Sequence, residues 1–157
     1  RITVGRDNLR FYRTMQDIVK RGNMLVRYTT FYADPARPHP VLKNGDDFDV
    51  IAMPDLLYLA NSRNGQAILS IPWGDINLNR SGMGKREKSA AGQAWAGLVG
   101  DDPMHEGLVL TYYDPQRRGE YKVFLRLIGE KQIKQVLSQI VTYIDDYRYR
   151  GGYVRYP

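Results

Sequence analysis

The sequence predicts an α+β fold: antiparallel sheets and a long C-terminal helix, arranged as two β-β-β-β-α repeats. Three observations predict it. An apolar stripe of helical period runs through the last thirty residues. Short runs rich in Val, Ile, Tyr and Phe, bounded by Gly, Pro, Asn and Asp, fill most of the rest. One such run also echoes another: Leu25-Val26, Thr29, Tyr32, Asp34-Pro35 and Arg37 are followed later by Leu108-Val109, Thr111, Tyr113, Asp114-Pro115 and Arg117.

In chain order, Ile2–Val4 and Leu9–Met15 are short strand candidates, and Met24–Tyr32 is a longer one that carries Arg27. Phe48–Ala52 reads as a further strand. A short helix is expected from about Pro54 to Asn61, because Pro is tolerated in a first helical turn and Leu56, Leu57, Leu59 and Ala60 supply an apolar face. Asn64-Gly65 ends that unit. Ala67–Trp73 and Asp75–Asn79 read as strands, and residues 80–106, Gly-rich and basic at their start, as a long excursion. Leu108–Tyr113 closes at an Asp114-Pro115 turn, and Glu120–Ile128 returns. In that strand Val123, Leu125 and Leu127 share one face, while Lys122, Phe124, Arg126 and Ile128 share the other, which reads either as the solvated side of an antiparallel sheet or as a nucleic-acid platform. Ile133, Val136, Leu137, Ile140, Val141, Ile144 and Tyr147 then place one apolar stripe on a helix over 130–148, stopped by Gly151-Gly152. A single domain of 157 residues follows, with repeat one at about 1–64, repeat two at about 65–150 and a basic, aromatic tail at 151–157.

Composition narrows the chemistry. The chain carries 23 Lys+Arg against 17 Asp+Glu, a formal charge of +6. Residues 1–43 and 117–157 are basic and the middle is acidic, so a fold that joins the two ends makes a basic face for an anionic partner. With no Cys, disulfide, thiolate-metal and cysteine-nucleophile chemistry are excluded. No apolar run approaches the roughly 20 residues that span a bilayer. A chain that opens on Arg1 rather than Met reads as a trimmed product.

Catalysis finds little support. His39 lies between two prolines, His105 lies in the long excursion, and neither has a companion at metal-ligand spacing. No carboxylate pair has an acid/base setting. Gly82-Met83-Gly84-Lys85 departs from a phosphate loop: Arg86 stands at the hydroxyl position and Asn79 where the first Gly is needed. No enzyme activity, cofactor or metal is expected. Binding finds more support. Basic and aromatic residues interleave in Arg10-Phe11-Tyr12-Arg13, Arg27-Tyr28, Tyr121-Lys122 and the tail from Tyr147 to Tyr156, where rings can stack on bases and cations can meet phosphates. The tail reads equally as a segment packed back on the domain or as an oligomer contact.

The repeat pattern resembles the Whirly fold, and more specifically the mitochondrial RNA-binding proteins of kinetoplastids. Three stretches over residues 18–155 carry the resemblance: Lys20-Arg21-Gly22-Asn23-Met24-Leu25; Phe48–Ala52 running into Asp55-Leu56-Leu57-Tyr58-Leu59; and Glu120-Tyr121-Lys122-Val123 before the long helix. The resemblance implies a non-catalytic, mitochondrial subunit, the second of two related ones in a heterotetramer. That assembly binds guide RNA by its phosphate backbone and promotes annealing to pre-edited mRNA in uridine insertion/deletion editing. The expected contacts are Arg10, Arg13, Lys20, Arg21, Arg27, Arg80, Lys85, Arg86, Arg117, Lys122 and Arg126, and no membrane is expected to be involved. Two rival readings share the coarse outline. One is a Whirly-type regulator that binds single-stranded DNA. The other is a pleckstrin-homology-like module, whose basic loops would bind a phosphoinositide or a protein.

Overall fold

The computed structural model describes residues 22–31, 38–43, 45–85 and 106–156, with only the backbone of Lys85. It is α+β, with two antiparallel sheets and a C-terminal helix. The first sheet contains β1 (Asn23–Thr30), β2 (Asp47–Ala52), β3 (Leu56–Asn61) and β4 (Ala67–Pro72), in that spatial order. The second contains β5 (Gly82–Lys85), β6 (Glu106–Asp114) and β7 (Gly119–Arg126), also in order. Helix α1 spans Gly129–Tyr149. Two single 3-10 turns, Trp73–Asp75 and Leu78–Arg80, carry the chain from one sheet to the other.

Most strand assignments and the helix agree with the sequence reading, but three do not. Residues 56–61, expected to be helical, form β3. The reason is burial on both faces. Leu57 and Leu59 enter the main core, while Leu56, Tyr58 and Ala60 build a second apolar cluster with Met53 on the opposite face. A central strand with no solvent face has no period-2 signal, so its apolar run is indistinguishable from a helical one. With β3 a strand and β4 pairing with it, the first β-β-β-β-α repeat loses its helix, and the break between sheets falls between Pro72 and Gly82 rather than near residue 64. Asp75–Asn79 is not a strand either, since only Ile76 bridges to Tyr112 within the crossover. The excursion expected from residue 80 begins instead as strand β5, whose four residues pair with Glu106–Val109. The candidate strands at Ile2–Val4 and Leu9–Met15 lie outside the described residues.

One core joins the layers. Val50, Leu59 and Ile71 from the first sheet meet Leu110, Val123 and Leu125 from the second, and Ile133, Val136, Ile140 and Ile144 from α1. The helical residues recur at i, i+3, i+7 and i+11, which is the stripe read from the sequence. Two seams hold the sheets together. At one, Thr29 Oγ1 on β1 donates to the Arg126 carbonyl on β7 at 3.0 Å. At the other, Asn77 N–H donates to the Thr111 carbonyl at 2.8 Å.

Trp73 sits at the crossover and is fully buried. Its indole N–H donates to the Met53 carbonyl at 2.7 Å, and its ring stacks on Tyr143 of α1 with centroids 5.2 Å apart. The next residue, Gly74, touches the tail: a Cβ there would collide with the Tyr153 carbonyl oxygen. The tail does fold back on the domain. Arg155 N–H donates to the Gly74 carbonyl, and the Arg155 guanidinium lies 4.1 Å from the Tyr113 ring centroid and bonds Asp75. Replacing Trp73 by Phe removes the donor to a buried carbonyl, so chemical denaturation of Trp73→Phe is expected to show a loss of about 2 kcal/mol. Gly74→Ala is expected to lose stability and to expose Arg155-Gly74 as the first amide to exchange, read by hydrogen exchange.

Candidate phosphate-binding surfaces

The antiparallel connectivity gathers three connections at one end of the domain. The β1–β2 connection leaves Thr30 beside Asp47, and the β3–β4 hairpin lies next to it, with Ser62 N–H donating to the Asp47 carbonyl. The β6–β7 turn, residues 115–118, is tied to the same place through His39. At the opposite end the β2–β3 turn receives the C-terminus of α1: Arg150 donates to the Pro54 carbonyl at 2.7 Å and faces Asp55.

His39 pins the first of these loops to β6, at Tyr112 just before the third. Its Nδ1 accepts the N–H groups of Val41 and Leu42 at 3.1 and 3.0 Å, so the ring proton resides on Nε2, which donates to the Tyr112 hydroxyl at 2.6 Å. Burial, helped by the positive charge of Arg117 and opposed by Asp114, lowers the His39 pKa to about 4. The same burial pushes the Tyr112 hydroxyl well above its ordinary value. In the turn, Asp114 accepts the N–H groups of Gln116 and Arg117, and its other oxygen takes the Arg117 guanidinium at 2.7 Å. Against the upward pull of burial, those Arg117 and Gln116 bonds hold the Asp114 carboxyl below its usual range.

Two basic surfaces result. The loop end carries the exposed cations Lys43, Arg63, Arg117 and Arg118. Arg118 sits at φ +52°, a left-handed conformation in a hairpin turn, where Gly or Asn is the usual occupant. The β1–β7 seam carries Arg27 on one strand and Lys122 and Arg126 on the other, all exposed. Between Val26 and Thr29 the β1 register slips against β2, where Tyr28 sits at φ +61° and is 65% exposed. Asp49 compensates by accepting the Tyr28 N–H at 2.9 Å.

The expected contact residues therefore separate. Arg27 on β1 and Lys122 and Arg126 on the adjoining β7 are all exposed. Arg117 belongs to the loop end, where it is bound to Asp114. Arg80 ends the second 3-10 turn and pairs with Glu120 at 3.2 Å. Lys85 lies on the edge strand β5. Arg10, Arg13, Lys20, Arg21 and Arg86 lie outside the described residues. Phe124 does not offer a stacking surface: it is buried, its ring lying over Gly107 at contact distance and near Gly84. The sequence reading passed over Lys43, Arg63 and Arg118, which have no aromatic residue beside them in the sequence; Lys43 and Arg63 are lone cations, and none of the three belongs to an interleaved basic and aromatic run. It passed over His39 because its partners are backbone groups and a tyrosine far along the chain. Among the described residues no cluster of His, Cys, Asp and Glu could hold a metal ion, and no helix is long and apolar enough to cross a membrane.

No family model and no curated protein matches this sequence.

The pinned imidazole has a pH signature. Its folded pKa of about 4 is below the ordinary 6.5, so the folded state resists protonation. Its contribution to stability is complete above pH 6.5 and is lost as pH falls through 4. Equilibrium unfolding between pH 7 and pH 4 is expected to show this loss, and the His39→Gln variant, less stable at pH 7, is expected to show a shallower slope across that window.

Proposed function

We propose that this chain is a non-catalytic docking module of the pleckstrin-homology-like type, which binds a phosphate-bearing lipid headgroup at its loop end. The observation that carries the reading is the strand order: among the described residues, a sheet of four strands in chain order, a sheet of three, and then a C-terminal helix that closes the core. The first helix of the two-repeat arrangement, expected at about Pro54 to Asn61, is replaced by β3 in the middle of the first sheet. Lys43, Arg63, Arg117 and Arg118 stand on three loops at one end, away from the C-terminus of α1, so a multivalent anion can meet several of them at once. The left-handed backbone of Arg118 fits this reading. A conformation that costs a non-Gly residue about 1 kcal/mol persists where its side chain has a use.

The expected result is sedimentation with vesicles containing phosphatidylinositol phosphates and none with neutral phosphatidylcholine. Each cation near a membrane surface contributes about 1 kcal/mol. The triple variant Lys43→Gln, Arg63→Gln, Arg118→Gln is therefore expected to weaken binding about 100-fold. Absence of sedimentation, with retained RNA binding, overturns the reading. Arg118→Gly separates the two roles of that position: it is expected to gain about 1 kcal/mol of folding stability while binding vesicles less tightly.

A second reading rests on the seam. Arg27, Tyr28, Lys122 and Arg126, exposed on adjoining strands, could follow the backbone of a guide RNA, as the Whirly resemblance implies, and bring two anionic strands together for annealing. On this reading Lys122→Gln with Arg126→Gln weakens RNA binding equally across sequences and lowers the slope of log affinity against log salt by about 2. An unchanged slope removes it.

A further inference from the structure

β4 is the last strand of its sheet, and the face it turns to the β6–β7 arm is a cleft of about 290 Å³. The hydrogen-bond parity of β4 follows from its neighbours. Trp73 N–H donates to the Asp55 carbonyl, and Ile71 and Leu69 lie opposite Leu57 and Leu59 in the same register. The odd-numbered residues therefore bond β3. Ser70 N–H, Ser70 C=O and Pro72 C=O point the other way, into the cleft, and no strand among the described residues takes them. Across the gap the parity of β6 is fixed by Asn77 N–H, which donates to the Thr111 carbonyl; the Tyr113 carbonyl is directed to the same side. The two sheets are bridged at Ile76–Tyr112 and part beyond it. A cleft walled by strand edges that are unpaired among the described residues is a site for one more strand.

The chemistry of the cleft selects the occupant. Its carboxylates are already neutralised: Asp75 by Arg155 at 3.3 Å and Asp114 by Arg117 at 2.7 Å. Its remaining surface is largely apolar, with Val41, Leu69 and Tyr112 among its walls. An anionic headgroup finds no spare cation there, and a charged side chain would lose water without gaining a partner. We propose that this cleft binds a short, neutral, extended peptide segment of a partner protein, which adds to β4 as a fifth strand and lays an apolar side chain against Val41, Leu69 and Tyr112. The cleft adjoins the loop end through Arg117, whose guanidinium is held by Asp114, while Lys43, Arg63 and Arg118 are not among its walls.

The Ser70→Pro variant isolates the interaction. Because Ser70 N–H is not part of the β3–β4 ladder, proline there removes the donor to the cleft, and proline is tolerated on an edge strand. Phage-displayed random eight-residue peptides selected on the whole chain are the probe. Selection is expected to enrich uncharged, β-branched sequences. Their synthetic forms are expected to bind the Ser70→Pro variant at least ten-fold more weakly, with its thermal unfolding checked alongside. On the wild-type protein, peptide binding is expected to protect the Ser70 amide from hydrogen exchange. Selection that yields no binders, or binders that leave the Ser70 amide unprotected, overturns the proposal. Enrichment of acidic peptides lost on substitution of Lys43, Arg63 and Arg118 overturns it equally.

Discussion

The crossover at Trp73 is where the two sheets, the helix and the tail are made to agree. The indole N–H must find an acceptor, because the ring is fully buried, and the Met53 carbonyl in the β2–β3 turn supplies it. That bond ties the crossover to the first sheet. The stack on Tyr143 ties it to α1. The following residues then have little freedom. Gly74 meets the tail backbone, Asp75 takes Arg155, and Ile76 bridges to β6. Asp75 is a carboxylate taken largely out of water, and burial raises its pKa even with Arg155 beside it. The tail is thus held by a chain of contacts that begins at one buried donor; Arg150 and Arg155 are committed to the domain, while the Tyr149 and Tyr153 side chains stay exposed.

The same geometry decides where ligand chemistry can sit. The helix C-terminus and tail occupy one end and one side of the domain, through Arg150 on the β2–β3 turn and Arg155 on Tyr113. The loops at the other end are free of that packing, and the domain stiffens them internally instead. His39 holds the β1–β2 connection to Tyr112, Asp114 organises the β6–β7 turn, and Asn61 Oδ1 accepts the Arg63 N–H in the β3–β4 hairpin. Loops fixed by local hydrogen bonds present their cations with less entropy to lose on binding. Both non-Gly residues with positive φ among the described residues, Tyr28 and Arg118, lie on the two basic surfaces, and neither is needed by the core.

How far the sequence discloses this differs from element to element. The helix stripe from Ile133 to Ile144 is legible because α1 has one wet face, so its 3.6 period survives. β2 and β7 are legible because their polar and apolar residues alternate in part. β3 is not legible, because Leu56 to Ala60 is buried on both sides and carries no alternation. Phe124 misleads for a related reason. It falls on the face of Lys122 and Arg126, and the paired glycines Gly107 and Gly84, diagonal to it across the sheet, leave its ring somewhere to lie out of water. Of the basic residues, the seam set Arg27, Lys122 and Arg126 was readable from its aromatic neighbours. The loop set was not, since Lys43, Arg63 and Arg118 are brought together only by antiparallel connectivity.

The cleft beside β4 was beyond any reading of residue types, because what distinguishes it is backbone. Its walls include ordinary residues, Ser70, Pro72 and Tyr113, whose side chains signal nothing. The groups left unpaired among the described residues arise from two separate facts: β4 ends its sheet, and β5 stops pairing with β6 at Val109. Had β5 run further, or had the crossover continued as a strand as its sequence suggests, the seam would have closed along its length. The 3-10 turn at Trp73–Asp75 prevents that by swinging the chain away just after β4. The interaction that locks the two sheets together, Trp73 in its buried seat, is therefore also what keeps the edge next to it open.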